Sequence, residues 1–343
     1  MSKKGKITLI CVAAALALIL CIVGVLAIVA NSQNDRSVPM KELSQWMGMI
    51  KDDTLLKNIV IPGAHDAGTK GLSYLAETQD RDTADLLACG TRYFDLRVTK
   101  TKGGELKIFH GPFSGVTLNS VLTEFVSFLQ QNPTEMLILD FQHFGGDAQL
   151  DTQKAVLSTL PYVTAVGDFV EFVDGLTLGQ TRGKCLILWG DDTADGKTFL
   201  RRNNDECSLE HTALQSYYEG ALNKKSSSKY VEEALPYYIG RYVDGGEGLF
   251  VLQGQLTDGM FVFGPRFREA THTKNMNAYV DSLYHSTDLK HINIIMRDFV
   301  TPYKNCLALQ LNVPKKNVKA KCLDTFETML AETLQFVRAA ELY

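Results

Sequence analysis

The 343-residue sequence contains no Cys-x-x-Cys pair, which leaves a structural zinc site without its usual ligand spacing. It has no excess of basic residues: the formal net charge is -4, which argues against wholesale nucleic-acid binding but is compatible with a local phosphate pocket. No repeat of 20–50 residues and no low-complexity tract is present, so solenoids and arrays are excluded. The one Asn-x-Thr triplet, Asn132-Pro133-Thr134, is blocked by its proline, and glycosylation therefore says nothing about compartment. Of seven cysteines, Cys11 and Cys21 lie in an apolar run and five remain, an odd number that leaves at least one unpaired in any disulfide scheme. Cys185, inside the apolar stretch Lys184–Trp189, reads as a packed thiol, and Cys306 with Cys322 is the pairing to test.

What is present is enough apolar material for a large core. At 45% hydrophobic and 22% charged residues, the chain reads as one sizeable globular domain. Lys3, Lys4 and Lys6 precede 24 uncharged residues, Ile7 to Ala30, long enough to cross a bilayer at about 1.5 Å per residue. The division predicted is a cytoplasmic stub at 1–6, a single N-terminal hydrophobic helix serving as transmembrane signal anchor at 7–30, a linker with a short amphipathic segment (Leu43, Trp46, Met47) at 31–53, and a catalytic domain at 54–343. Val25-Leu26-Ala27 and Ile28-Val29-Ala30 offer cleavage sites, so a removed signal peptide is the alternative. The expected location is single-pass in the membrane with an extracytoplasmic domain, or secreted if the leader is cleaved.

Strand-like runs recur at 58–62, 91–98, 106–110, 135–143, 184–190, 249–256 and 292–300. Between them, Leu118, Val121, Leu122, Phe125 and Leu129 follow the spacing of one helix face, as do Leu323, Phe326, Leu330, Leu334 and Val337. Strands alternating with helices over about 290 residues predict an α/β fold with a parallel sheet covered by helices, a closed barrel rather than a small open sheet, with chemistry at the carboxyl ends of the strands.

Three successive strand ends carry reactive side chains. Ile59-Val-Ile-Pro-Gly-Ala-His65-Asp66-Ala-Gly68-Thr69 ends an apolar run in a turn that presents a His-Asp pair. Asp95 and Arg97, two residues apart in Thr91-Arg-Tyr-Phe-Asp95-Leu-Arg97-Val, project from one strand face. Leu106-Lys-Ile-Phe-His110-Gly111 supplies a second histidine. Two imidazoles, a guanidinium and two carboxylates form a parts list for acid/base work on a phosphate ester.

These motifs, with Arg92-Tyr-Phe-Asp95-Leu-Arg97 and Asn132-Pro-Thr-Glu-Met-Leu-Ile-Leu-Asp140-Phe141, resemble the X-domain family of phosphatidylinositol-specific phospholipases C. The resemblance covers residues 50–145 and extends more loosely to Ile292–Val300. It implies an irregular TIM-type (β/α)8 barrel and cleavage of an inositol phosphodiester, in phosphatidylinositol or a glycosylphosphatidylinositol at a membrane surface; the net charge already speaks against a nucleic-acid partner. His65 matches the general base that frees the inositol 2-hydroxyl to attack phosphorus, and His110 the acid that protonates the departing diacylglycerol oxygen. Arg97 would stabilise phosphate charge, Asp66 matches a support for the acid histidine, Asp95 would hold Arg97 or substrate hydroxyls, and Asp298, at the end of a late strand, is the candidate to orient His65. Trp189, Asp191, Gln253 and Arg297 are candidates for binding the inositol head. His143, His211, His272, His285 and His291 are given ordinary structural places.

In the calcium-requiring relatives the strand of Asp95 carries two acidic ligands. Here the second position resembles Arg97, and Gln142 stands near a further ligand position, so the resemblance is to the branch without metal or other cofactor. Two other readings are a metal-dependent phosphodiesterase using Asp66 and Asp95 as ligands, and a non-catalytic protein that binds inositol glycolipids.

Overall fold

Eight of the ten strands found among the described residues run parallel, in the order β7-β6-β5-β2-β1-β10-β9-β8. They are β1 (Ile61–Ala64), β2 (Tyr93–Lys100), β5 (Leu137–Gly145), β6 (Cys185–Trp189), β7 (Leu200–Arg201), β8 (Leu214–Ser216), β9 (Leu249–Gln253) and β10 (Ile294–Arg297). The hairpin β3 (Leu106–His110) and β4 (Phe113–Thr117) hangs antiparallel from β2. The sheet curls until its ends meet at one parallel bridge, Arg202 with Leu214. This is an irregular TIM-type (β/α) barrel: the alternation of elements predicts the closed barrel and the resemblance its irregular form. The structure, a computed structural model, describes residues 16, 19–20, 42–166, 169–190, 199–202, 212–245, 247–256 and 264–340, with side chains omitted at 169, 201, 245 and 336–340.

Strand alternation sorts the core into a lumen and an outer layer. Ile61, Tyr93, Ile138, Leu188, Val251, Ile294 and Met296 belong to one buried cluster inside the wall. Phe94, Leu96, Val98, Leu139, Ile187 and Trp189 face outward to the helices. The helix Leu118–Gln131, capped by the Thr117 hydroxyl accepting from Ser120 N–H, buries the expected Leu118, Val121, Leu122, Phe125 and Leu129. Phe125 meets Phe94 edge-on at 4.8 Å. In the helix Leu323–Ala340, Phe326 and Leu330 are buried as expected. Gly63 is needed where it stands, because a Cβ there would lie 2.8 Å from the Tyr93 ring.

The amphipathic segment becomes a 3₁₀ helix, Leu43–Met49, that plugs the amino-terminal end of the barrel with Leu43, Trp46 and Met47. A fully buried Arg92–Glu135 ion pair anchors it. Glu135 accepts from Met47 N–H at 3.3 Å and Gly48 N–H at 3.2 Å, and Arg92 donates to the Ser44 carbonyl at 2.8 Å. The charges are thus satisfied by one another and by backbone.

Three expectations are corrected. Among the described residues no helix is long and apolar enough to cross a membrane. The long helices there, Gly264–Ser282 and Leu323–Ala340, carry charges such as Arg266, Arg268, Glu269, Asp324 and Glu327, whose burial in lipid is costly. The expected single-pass location is therefore withdrawn; its anchor segment lies outside the described residues except for Leu16, Ile19 and Leu20, which are helical and exposed. Cys306 and Cys322 are not paired with each other: both are free thiols, as is Cys185. Three strands differ from expectation by being present at all, β4, β7 and β8, the last two only two and three residues long and too short for a periodic signal.

Candidate active site

β1 hands directly over to the chemistry. His65 N–H donates to the Arg297 carbonyl at 3.0 Å, the last bond tying β1 to β10. Asp66 then takes a left-handed backbone, φ 43°, uncommon for a residue other than glycine. Asp95 holds that turn: its side chain accepts from Asp66 N–H at 3.3 Å and its carbonyl from Ala67 N–H at 2.8 Å.

The Asp66 carboxylate is the hub of the site and is buried. One oxygen pairs with the Arg97 guanidinium. The other lies 3.4 Å from His65 Nε2 and 3.5 Å from His110 Nε2, so the two imidazoles flank it. Each ring is held from behind by an acceptor. His65 Nδ1 is 2.7 Å from Asp298 Oδ1, and His110 Nδ1 is 2.8 Å from the Ala76 carbonyl. A carbonyl can only accept, so His110 Nδ1 carries a proton and Nε2 is left to exchange one at the site.

Burial works against a charged His65, but Asp66, Asp298 and Asp95 outweigh it and raise the imidazole to about 9. In the unfolded chain its pKa returns to about 6.5. This carboxylate cage therefore stabilises the native state fully below about pH 6.5, and the contribution fades as pH rises through about 9. Burial would raise Asp66, yet Arg97, His65 and His110 hold it below the usual carboxylate range. Burial and the Asp66 charge push Asp95 up to about 7. Asp298 is raised by burial, partly offset by His65.

The structure thus brings His65, Asp66, Asp95, Arg97, His110 and Asp298 together. It does not bring Trp189 and Arg297 to them, a correction to their expected place at the inositol. Both face outward from the lumen. Trp189 packs fully buried among Phe141, Phe144 and Phe199, with ring centroids at 5.3, 4.4 and 4.7 Å. Arg297 reaches Glu269 at 3.4 Å and Asn277 at 3.1 Å on the helix Gly264–Ser282. Gln253 faces the lumen and donates to Ser216 Oγ at 2.9 Å. Asp191 lies outside the described residues.

Four polar residues given no role in the sequence stand beside the site. Tyr93 Oη donates to Asp140 Oδ2 at 2.5 Å and Arg202 Nε to the same carboxylate at 3.0 Å, forming a buried floor in the lumen. Asp140 is in register with Asp95, which equal parity from aligned strands would have indicated. His143 is brought in by a bulge: Leu96 pairs with Phe141 but Arg97 pairs with His143, so Gln142 is the extra residue. Phe141 and Phe144 both pack outward on Trp189, which leaves His143 on the Arg97 face. Burial, then Arg97 and Arg202, hold its imidazole below the usual histidine range.

His65, Asp66 and Asp95 offer ligand atoms within 4.8 Å of one another, close enough to share a cation. The Arg97 guanidinium on Asp66 and the raised pKa of His65 already supply positive charge there.

The family model for the phosphatidylinositol-specific phospholipase C X domain matches residues 55–188. The 1-phosphatidylinositol phosphodiesterase of Listeria monocytogenes is 27% identical over 291 residues, covering 79% of this chain and 86% of that protein. The 1-phosphatidylinositol phosphodiesterase of Staphylococcus aureus strain Newman is 30% identical over 216 residues, covering 54% of this chain and 67% of that protein. Among solved structures, the phosphatidylinositol-specific phospholipase C from Listeria monocytogenes superposes with a TM-score of 0.63 at 21% identity, covering 79% of this chain and 98% of that one.

Proposed function

Because the chain belongs to the phosphatidylinositol-specific phospholipase C X-domain family, we propose that it is a phosphodiesterase that cleaves phosphatidylinositol by intramolecular attack. The reading rests above all on one observation: two imidazole Nε2 atoms flank a buried carboxylate that is itself paired with a guanidinium. His65 takes the proton of the inositol 2-hydroxyl, the freed oxygen attacks phosphorus, and His110 protonates the diacylglycerol oxygen as it departs, leaving a cyclic inositol phosphate. Arg97 stabilises charge on the phosphate oxygens with a planar fork of donors. Asp66 ties the three together, Asp95 fixes the Asp66 turn, and Asp298 orients His65. Glycosylphosphatidylinositol presents the same bond and belongs to the same substrate class.

The test is direct. The protein incubated with labelled phosphatidylinositol in a chelator should release diacylglycerol and a cyclic inositol phosphate. The closeness of His65, Asp66 and Asp95 supports a second reading, in which a divalent cation does the work of Arg97. Activity that disappears in chelator and returns with calcium would favour it.

The base assignment also sets a pH profile. With His65 near 9 in the free protein, kcat/KM should climb about tenfold per pH unit toward that value, because only the neutral ring can accept a proton. Asp298→Asn removes a charge that raises the ring, so the climbing limb should move toward acid by about one unit while maximal turnover falls. A limb that stays in place in this variant would assign it to another group.

A further inference from the structure

The ladder between β1 and β10 ends with Ala64 opposite Arg297. His65 and Asp298 follow immediately, past the last sheet pair, and the chain departs from strand geometry on both sides: Asp66 has φ 43° and Phe299 φ 45°. Something other than the sheet must keep the imidazole and its carboxylate 2.7 Å apart.

The segment between β1 and β2 folds back over this junction and places Gln79 there, fully buried. Its Nε2 donates to the His65 carbonyl and to the Arg297 carbonyl, both at 2.9 Å. Its Oε1 accepts from Val300 N–H at 3.0 Å. Both amide hydrogens and the amide oxygen are therefore used, one hydrogen on β1's extension and the rest on either side of Asp298. Thr78 doubles the tie: its hydroxyl lies 3.3 Å from the His65 carbonyl and 3.2 Å from the Asp66 carbonyl, and its own carbonyl accepts from Phe299 N–H at 2.7 Å. Thr69 Oγ1 accepts from the N–H groups of Thr78 and Gln79, each at 3.1 Å, which fixes the segment itself. The same segment carries Ala76, whose carbonyl holds His110.

We infer that Gln79 is a positioning residue that takes over where the β1–β10 ladder ends, holding His65 against Asp298. The inference rests on the role proposed for His65. A buried amide suits the task because it bridges two diverging backbones with directed bonds and adds no charge to a site that already holds Asp66, Asp95, Asp298 and Arg97.

The variant Gln79→Met keeps length and removes all three bonds. Expected is a fall in kcat of about 10- to 100-fold, with KM within about twofold, since misplacement by about 1 Å is enough for such a loss. By NMR the His65 titration midpoint should drop from near 9 toward the ordinary histidine value, and adding Asp298→Asn to Gln79→Met should cost little more, since both break the same couple. A merely structural role would lower the folded fraction but leave the midpoint near 9 in molecules that remain folded, with the two substitutions additive, and that result overturns the inference. In the parent protein, the Gln79 side-chain amide must exchange slowly with solvent and shift as His65 titrates; exchange at a surface rate overturns the inference without recourse to a variant. A parent inactive on phosphatidylinositol would defeat the proposed function, while the His65 midpoint in Gln79→Met still decides the positioning.

Discussion

Replacing His110 by alanine will slow phosphatidylinositol cleavage on the order of 100-fold or more, and a substrate with a p-nitrophenyl leaving group will recover most of that loss, whereas His65→Ala will stay slow on both. The asymmetry follows from where each proton goes. A departing diacylglycerol alkoxide needs a proton, and a phenolate of much lower pKa does not, so the acid becomes dispensable while the base does not. Both Nε2 atoms face the Asp66 carboxylate from opposite rings, and the neighbouring atoms alone do not tell acid from base. The Nδ1 partners do differ: Asp298 behind His65 favours a ring that must become cationic, and the neutral Ala76 carbonyl behind His110 suits one that gives its proton away. Rate measurements on the two substrates with both variants check this, and equal rescue of the two would remove the assignment. Both variants should fold, since each ring is partly accessible.

Arg97 carries the second large effect. Arg97→Lys keeps a positive charge but loses the planar fork, and turnover should fall on the order of 100-fold or more. In the parent the guanidinium neutralises a buried carboxylate beside a second one, and Asp95 is already pushed up to about 7 by burial and Asp66. Arg97→Asp removes that compensation and adds a third carboxylate to the cluster. This variant should gain calcium stimulation that the parent lacks, at low absolute activity, because oxygen ligands near one another then need a cation. Titrating both proteins with calcium after chelation is the measurement. Calcium stimulation of the parent would instead mean that Arg97 does not stand in for the ion.

The legible part of the site is the part carried on contiguous motifs. His65 and Asp66 directly follow β1, Asp95 and Arg97 lie within β2 and His110 ends β3, all within about fifty residues of sequence, and strand parity alone puts Asp95 and Arg97 on one face. Asp298, 233 positions from His65, is reachable as a carboxylate at a late strand end. Trp189 and Arg297 are misplaced by sequence reasoning for a definite reason. Parallel strands buried on both faces are apolar throughout, so Cys185-Leu-Ile-Leu-Trp189 and Ile294-Ile-Met-Arg297 show no alternation from which inside could be told from outside. His143 is hidden by the bulge at Gln142, since an inserted residue exchanges the two faces of a strand beyond it. Arg202 follows the two-residue β7, and its bond to Asp140 spans 62 positions, a relation no local pattern encodes. Gln79 lies in an irregular segment where hydrogen bonding to backbone, not periodicity, decides the conformation.

The barrel wall is unevenly stiff. At β7 and β8 it consists of two- and three-residue strands joined by the Arg202–Leu214 bridge. Half a circumference away, β2 is paired along its length with β5 from Tyr93–Ile138 to Thr99–Gly145, and β1 is clasped between β2 and β10. Among the described residues the ladder between β2 and β5 has seven residue pairs, against two between β6 and β7 and three between β8 and β9, so opening costs least at the first place. Opening of the cylinder is therefore expected at its seam, away from β2 and β5. A bulky head group that needs room in the lumen would find it on that side, the one farther from β1, which leads into His65, and β2, which carries Arg97.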